Sequence, residues 1–214
     1  MFTKALAGAA CAAYASAQAD LEFTKNNYFK LKNAAFLSVD SFQGSEDFLL
    51  VSSFGAMSSG HIYMVPGVKD AVMAGDVGDL EPVQLDTPKF EWPNNTRVIP
   101  EDVFGERAIV VPDGFLVPGK KDGGIFVVRM DDEDILKTKE TVEITAKKNN
   151  YFYHMGYWVD LNGDGRKDFI TARSNAKKGH GELLWLEHPE GGLDSGSTWT
   201  EHVLGNIADV CFEV

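Results

Sequence analysis

The stretch GYWVDLNGDGRKDFITARS, residues 156–174, decides the fold, because an acidic loop separates two strand-like runs in it. The flanks GYWV and FITAR are rich in aromatic and β-branched residues, which favours β-strands. Between them, Asp160, Asn162 and Asp164 stand at alternate positions, and the glycines among them permit the positive φ angles of a tight loop. The stretch therefore predicts a strand, a compact turn and a second strand.

Two earlier segments follow the same plan, namely FLSVDSFQGSEDFLLVSS (36–53) and RVIPEDVFGERAIVVPD (97–113). In all three segments an aspartate, Asp40, Asp102 or Asp160, follows the first apolar run, and these aspartates recur about every sixty residues. Third and fourth strand-like runs come after each pair. Four-stranded units at this period predict an all-β chain with a β-propeller-like array of about three blades. The predicted blades are residues 34–86, 97–146 and 154–205.

Both ends of the chain extend this pattern. LEFTKNNYF (21–29) resembles VEITAKKNNYF (142–152), which predicts an N-terminal fourth strand that closes the ring. IADVCFEV (207–214) resembles a first strand and predicts a C-terminal partial blade. Closed propellers typically have about four to eight blades. Three alternatives stay open: a truncated propeller, a half-ring that self-associates, and a four-blade form with one incomplete blade.

Composition and the N-terminus bear on location and partners. The chain has 214 residues and a net charge of −12, and this acidity disfavours nucleic acid and anionic lipid as partners. Residues 1–19 contain a lysine, then a short apolar run, then small residues, which is the order of regions in a secretory signal peptide. The apolar run is too short to span a bilayer. We therefore expect a secreted propeller domain over residues 20–214, an unstructured N-terminal tail being the alternative to the leader.

Two further features depend on export. Cys11 would leave with the leader, so the mature chain would have no internal disulfide, and Cys211 between apolar neighbours is expected to be a buried small hydrophobe. Asn94 begins the sequon NNT, which predicts N-glycosylation at this residue.

The acidic loop predicts a structural calcium site. Its expected ligands are the side chains of Asp160, Asn162, Asp164 and Asp168 and the backbone carbonyl of Arg166, and such hard oxygen donors suit Ca²⁺. An EF-hand is rejected, because its twelfth position would hold Glu and its flanks would be helices. No thiolate or imidazole lies in the loop, which disfavours zinc. The alternative is a solvated turn without metal.

The acidic loop and the strands that follow it resemble a known family. DLNGDGRKDFI, followed by GELLWLEHPEG and TWTEHVLG, is similar to the FG-GAP/VCBS repeat of integrin-type β-propellers. The resemblance implies that the acidic loop joins the first two strands of a blade and binds calcium. The other two copies keep fewer donors, namely Asp40 and Asp47 in the first and Asp102 and Glu106 in the second.

Two histidines of the third unit, His188 and His202, are candidates for acid–base chemistry or for holding zinc, with Glu187 or Glu201 as the partner carboxylate. The alternative is that both histidines only make local hydrogen bonds. Trp92 is expected to be the most exposed tryptophan. Two functions follow. The first is a secreted, calcium-stabilised module that binds a glycan or a protein. The second is a sugar-modifying lyase or isomerase similar to fungal aldos-2-ulose dehydratase, a comparison at the level of fold alone.

Overall fold

Antiparallel β-sheet dominates the chain. A computed structural model describes residues 28–55, 58–114, 122–146, 149–175, 180–196 and 198–207. The predicted leader (1–19) and both cysteines lie outside these residues, as do nearly all of the predicted N-terminal closing strand and C-terminal partial blade. Within the described residues, the strands form three four-stranded sheets, and each sheet pairs its strands in chain order.

The three sheets take successive parts of the chain. Sheet 1 consists of β1 (Ala34–Asp40), β2 (Phe48–Gly55), β3 (Ser58–Pro66) and β4 (Val83–Gln84), with helix α1 (Val68–Ala74) before β4. Sheet 2 consists of β5 (Arg97–Ile99), β6 (Ala108–Pro112), β7 (Ile125–Met130) and β8 (Thr138–Glu143), with helix α2 (Glu101–Phe104) after β5. Sheet 3 consists of β9 (Tyr151–Val159), β10 (Asp168–Asn175), β11 (His180–Glu187) and β12 (Thr200–Ile207), with a 3₁₀ turn (Gly192–Ser195) before β12.

The prediction of three four-stranded units is confirmed by these sheets. The two short helices were not predicted. Helix α2 occupies the turn of the second unit, and it ends at Gly105, whose φ of 72° is a left-handed conformation that glycine adopts without strain.

The central strands of sheet 2, β6 and β7, are buried on both faces. Strand β6 shows this directly, because all five residues of AIVVP are buried. Its odd and even positions belong to separate apolar clusters, so that Ile109 and Val111 pack with residues of sheet 1, and Ala108 and Val110 with residues of sheet 3. A strand covered on both faces has a continuous apolar run rather than an alternating one. The central sheet therefore holds the other two in place.

The connections between first and second strands contact one another in series. In the first unit, the Gln43 backbone N–H donates to Glu101 Oε1 of α2 over 2.8 Å. In the third unit, Lys167 Nζ lies 2.6 Å from Asp102 Oδ2, also on α2. The three loops thus lie side by side, and α2 is the link between its two neighbours.

Candidate functional site

The loop between β9 and β10 is organised around Asp160. Its carboxylate accepts three backbone N–H groups, from Gly163 at 2.7 Å, Asp164 at 3.2 Å and Gly165 at 2.9 Å. Both glycines have positive φ, at 77° and 88°, which lets the backbone turn its N–H groups inward without a Cβ clash. The alternating sequence therefore forms the compact loop that was predicted.

Asp164 carries a second set of contacts. Its Oδ1 accepts the Arg166 backbone N–H at 2.8 Å, and its Oδ2 lies 2.5 Å from an Arg166 guanidinium nitrogen. The backbone hydrogen bond from Arg166 is the main reason that the pKa of Asp164 lies below its usual value. Asn162 Oδ1 accepts the Asp164 backbone N–H at 3.0 Å. The loop thus already has one cation, the side chain of Arg166, beside its carboxylates.

Asp168 fixes the loop to the rest of sheet 3. Its side chain is fully buried, and its two oxygens accept the backbone N–H groups of Leu161 at 3.0 Å and His188 at 2.9 Å. Arg166 Nε donates to the carbonyl of His188 at 3.0 Å. The loop and the segment after β11 therefore form one hydrogen-bonded unit.

The donor set fits a calcium ion by its chemistry. Carboxylate and amide oxygens are hard ligands, and an oxygen that accepts one N–H keeps a lone pair for a metal. In the described part of the chain, however, no three side chains of His, Cys, Asp or Glu converge as a metal-binding group. Asp164 is directed to Arg166 instead. A calcium ion in this loop would therefore compete with the Arg166 guanidinium for Asp164.

His188 is a buried residue with local partners. Its ring stacks on Trp199 with centroids 4.8 Å apart, and Phe104 meets it edge-on at 5.2 Å. Its Nδ1 lies 3.1 Å from the carbonyl of Lys167, so this nitrogen is the one that carries the proton. Burial lowers the pKa of His188. These contacts match the local hydrogen-bonding alternative.

His202 lies on the other face of sheet 3. Its Nε2 is 2.7 Å from Glu187 Oε2, and its ring stacks on Trp185 with centroids 4.2 Å apart. The other oxygen of Glu187 accepts from Asn162 Nδ2 at 3.5 Å. The pairing with Glu187 is the one considered from the sequence, whereas Glu201 pairs with Arg173. The two histidines have separate partners and do not form one site.

Asn94, the predicted glycosylation site, is only 1% exposed. Its Nδ2, the atom that would carry a glycan, donates to the carbonyls of Gly114 and Tyr153. A glycan would require this amide to leave the core, so the folded geometry disfavours modification of the sequon. Trp92 also has inward contacts, because its ring stacks on Phe54 at 4.6 Å and its Nε1 donates to the Gly55 carbonyl.

A pocket that the sequence did not indicate lies where the first strands of the three sheets approach one another. It has a volume of about 340 Å³. Asp40 at the end of β1, Val98 in β5 and Trp158 in β9 each contribute to its wall. Asn95, Arg97 and Tyr157 add polar groups. We call this cavity the first-strand pocket. Asp40, interpreted from the sequence as a degenerate metal-loop residue, in fact lines it.

The charged groups of the first-strand pocket have separate hydrogen-bond partners. Asp40 Oδ2 accepts the hydroxyl of Ser38 at 2.7 Å, and Arg97 Nε donates to Asn95 Oδ1 at 3.1 Å. Among the described residues, no ion pair joins Asp40 to Arg97, although both line the pocket. The pocket therefore has a carboxylate and a guanidinium with hydrogen-bonding capacity left over.

Comparisons with other proteins give no family for this chain. No family model, no curated protein and no solved structure matches it. In addition, none of the helices in the described residues has the length and hydropathy needed to cross a bilayer. The features of the molecule that bear on its function are therefore the sheets, the acidic loop and the first-strand pocket.

Proposed function

We propose that this chain is a secreted binding module of β-propeller-like architecture, stabilised by calcium, with a glycan or a protein as its partner. The observation that carries the proposal is the first-strand pocket, a concave site to which all three sheets contribute. Ligand sites in proteins are typically such clefts, with apolar walls and a few polar groups. The repeated strand order of the sheets supports a propeller-like array, and the FG-GAP/VCBS type rests on the resemblance of the acidic loop.

Calcium has a structural role in this proposal. Asp160, Asn162, Asp164, Asp168 and the Arg166 carbonyl would hold the ion, which would neutralise the loop and fix the connection between β9 and β10. Protein oxygens fill most of such a coordination shell, which leaves little room for a substrate. The ion would thus stabilise sheet 3 without taking part in chemistry.

The calcium proposal is tested by thermal unfolding of the purified chain with calcium and with a chelator. At a calcium concentration of about 100 times Kd, binding stabilises the folded state by about 2.7 kcal/mol. For a chain of this size we expect Tm to rise by roughly 5–10 °C. Asp160→Asn should abolish the rise, and Asp47→Asn, in the first unit's loop, is the matched control that should keep it. An identical Tm in calcium and chelator, with no binding heat, would contradict the site.

The binding proposal is tested on a glycan array with calcium present, together with solution mass measurement. Specific binding to a defined glycan, or a complex with a protein captured and then confirmed with purified components, would support the module. A solution mass above that of one chain would favour the self-associating half-ring over a self-sufficient monomer. No binding to any glycan or purified protein would remove the support for the proposal.

A second candidate function is a sugar lyase or isomerase. It is favoured by one observation, the 2.7 Å contact between His202 and Glu187 beside the ring of Trp185, since a carboxylate-oriented imidazole can move a proton next to a carbonyl. The test is turnover of keto-sugars by the wild type, by His202→Ala and by His61→Ala as a control. Turnover by the wild type and by His61→Ala, but not by His202→Ala, would establish an enzyme. No turnover by the wild type would exclude this activity.

A further inference from the structure

The first-strand pocket has no net charge from the side chains that line it, because Asp40 and Arg97 are its only charged members. Each of these side chains is restrained by a neighbour, Asp40 by Ser38 and Arg97 by Asn95. Ser38 is itself buried and hydrogen-bonded to the Thr96 carbonyl at 2.9 Å. The carboxylate and the guanidinium therefore have different hydrogen-bond partners and line one cavity.

We propose that this pocket binds one neutral hydroxylated ring, a single saccharide unit, whose hydroxyl groups bridge Asp40 and Arg97. A hydroxyl group both donates and accepts hydrogen bonds, whereas a carboxylate only accepts and a guanidinium only donates. Neighbouring hydroxyls on one ring can thus satisfy both charged groups together. The inference rests on the proposed binding function and names its ligand class.

The rest of the wall suits the carbon face of such a ring. Val98, Val110 and Met155 give apolar surface, and Tyr157 and Trp158 add aromatic side chains. Ligand sites commonly combine apolar and aromatic walls with a few placed polar groups, and occupy about 300–1,000 Å³. A pocket of about 340 Å³ lies at the small end of this range, which indicates one ring rather than a long oligosaccharide.

The pocket's charges disfavour ionic ligands. A phosphate or a carboxylate would be attracted by Arg97 and repelled by Asp40 at the same time. A cation would be attracted by Asp40 and repelled by Arg97. A neutral ring encounters neither repulsion. The discriminating comparison is thus between a hexose and the corresponding uronic acid, which share the ring and differ by one carboxylate.

The experiment is an NMR titration of the full chain with the methyl glycosides of glucose, galactose and mannose, and with methyl glucuronide. We expect weak, saturable binding of at least one neutral glycoside and at least about tenfold weaker binding of the glucuronide. Asp40→Asn and Arg97→Gln should each weaken the neutral ligand about tenfold or more, because each leaves ligand hydroxyls without their charged partner. Arg107→Gln, outside the pocket, is the matched control and should bind as the wild type does.

Each outcome bears on the proposal. Unchanged affinity in Asp40→Asn and Arg97→Gln, preference for the glucuronide, or no binding by any glycoside would overturn the inference. Circular dichroism and Tm of each variant establish that it is folded. If a glycan-array ligand still binds both pocket variants, the binding module stands and the pocket assignment falls. If neither array nor titration shows binding, the pocket assignment falls, and the binding module then depends on the protein partner alone.

Discussion

Arg166 is the residue on which the charge balance of the acidic loop depends. Its backbone carbonyl is a predicted calcium ligand, yet its guanidinium contacts Asp164. The two roles can be separated, since substitution by alanine keeps the carbonyl and removes the competing cation. Arg166→Ala should therefore bind calcium about two- to fivefold more tightly than the wild type, as expected for loss of a surface ion pair.

Isothermal titration calorimetry measures this change, with Lys167→Ala as the control for general loss of positive charge near the loop. An Arg166→Ala affinity equal to or lower than that of the wild type would contradict competition between the guanidinium and the ion.

Asp113, which follows β6, is a buried carboxyl whose pKa is raised. It accepts the backbone N–H groups of Glu91 at 2.9 Å and Trp92 at 2.8 Å, but burial outweighs these bonds and raises its pKa to about 6. A raised pKa means that the folded state takes up the proton more readily than the unfolded state. This contribution to stability is complete below about pH 4 and is lost as the pH rises through 6.

We therefore expect the stability of the wild type relative to Asp113→Asn to fall by roughly 2–3 kcal/mol between pH 4 and pH 7. Urea denaturation at several pH values measures this difference in the free energy of unfolding. The change of the difference with pH is the test, because the asparagine also alters the hydrogen bonds and so shifts the absolute value at every pH. Asp131→Asn is the control, because the exposed Asp131 has a lowered pKa and should give a flat or slightly rising difference. A flat profile for Asp113→Asn would refute the buried, titrating carboxyl.

Residue patterns predicted which side chains share a loop, but not their distant partners. The alternation of Asp160, Asn162 and Asp164 was enough to predict the turn, because the contacts that form it are local. The burial of Asn94 depends on Tyr153, 59 positions away, and the pocket position of Asp40 depends on strands from two other sheets. Contacts over such separations are set by packing and leave no local pattern.

At the scale of elements, the presence of each strand was predicted better than the residues at which it begins and ends. Apolar runs of β-branched and aromatic residues identified the strands, yet LEPVQLD (80–86), the predicted fourth strand of the first unit, is a strand only at Val83–Gln84. Pro82 stands at the start of this strand and has no N–H to donate to a ladder, which shortens the pairing. Helix α2 was missed because four helical residues are too few for a periodic pattern.

Strand β10 contains a buried ion-pair cluster that the strand pattern did not predict. Arg173 is 2% exposed and contacts Glu182 at 2.7 Å and Glu201 at 2.8 Å, on the two strands that follow. The guanidinium carbon of Arg173 lies 4.8 Å from the centroid of the Tyr151 ring. The guanidinium thus joins β10 to β11 and β12.

Arg173→Met should lower the free energy of unfolding by about 3–5 kcal/mol, because it removes the cation from two largely buried carboxylates while keeping most of the side-chain volume. Chemical denaturation measures the change. The triple variant with Glu182→Gln and Glu201→Gln should recover part of the loss, since neutral amides cost less to bury. A loss below about 1 kcal/mol in Arg173→Met would show that the cluster adds little to stability.

At the scale of the whole molecule, the repeat predicted three four-stranded units, and the structure has three four-stranded sheets. The repeat could not predict which unit would be covered on both sides. One sign was present in the sequence, because AIVVP is continuously apolar whereas its counterparts in the other units contain serine, threonine or arginine.

The doubly covered sheet should be the most stable part of the molecule. Amide groups of β6 and β7 are shielded on both sides and should exchange with solvent only through global unfolding, whereas those of β1 and β12, at sheet edges, should exchange through local opening. Hydrogen exchange monitored by mass spectrometry measures this order. Protection of β6 and β7 no greater than that of β1 would contradict the central position of sheet 2.

The contacts of α2 with its neighbours have a consequence for how repeated units diverge. In the second unit, Glu101 and Asp102 bind Gln43 and Lys167 of the adjacent loops rather than sharing a loop of alternating oxygen donors. The second unit's turn, which lacks the alternating donors, thus links its two neighbours instead. Grafting DLNGDGRKD into the second unit from position 102 would keep Glu101 and an aspartate at 102 while restoring the alternating donors. If that aspartate turned into its own loop, as Asp160 does, it would give up the contact with Lys167.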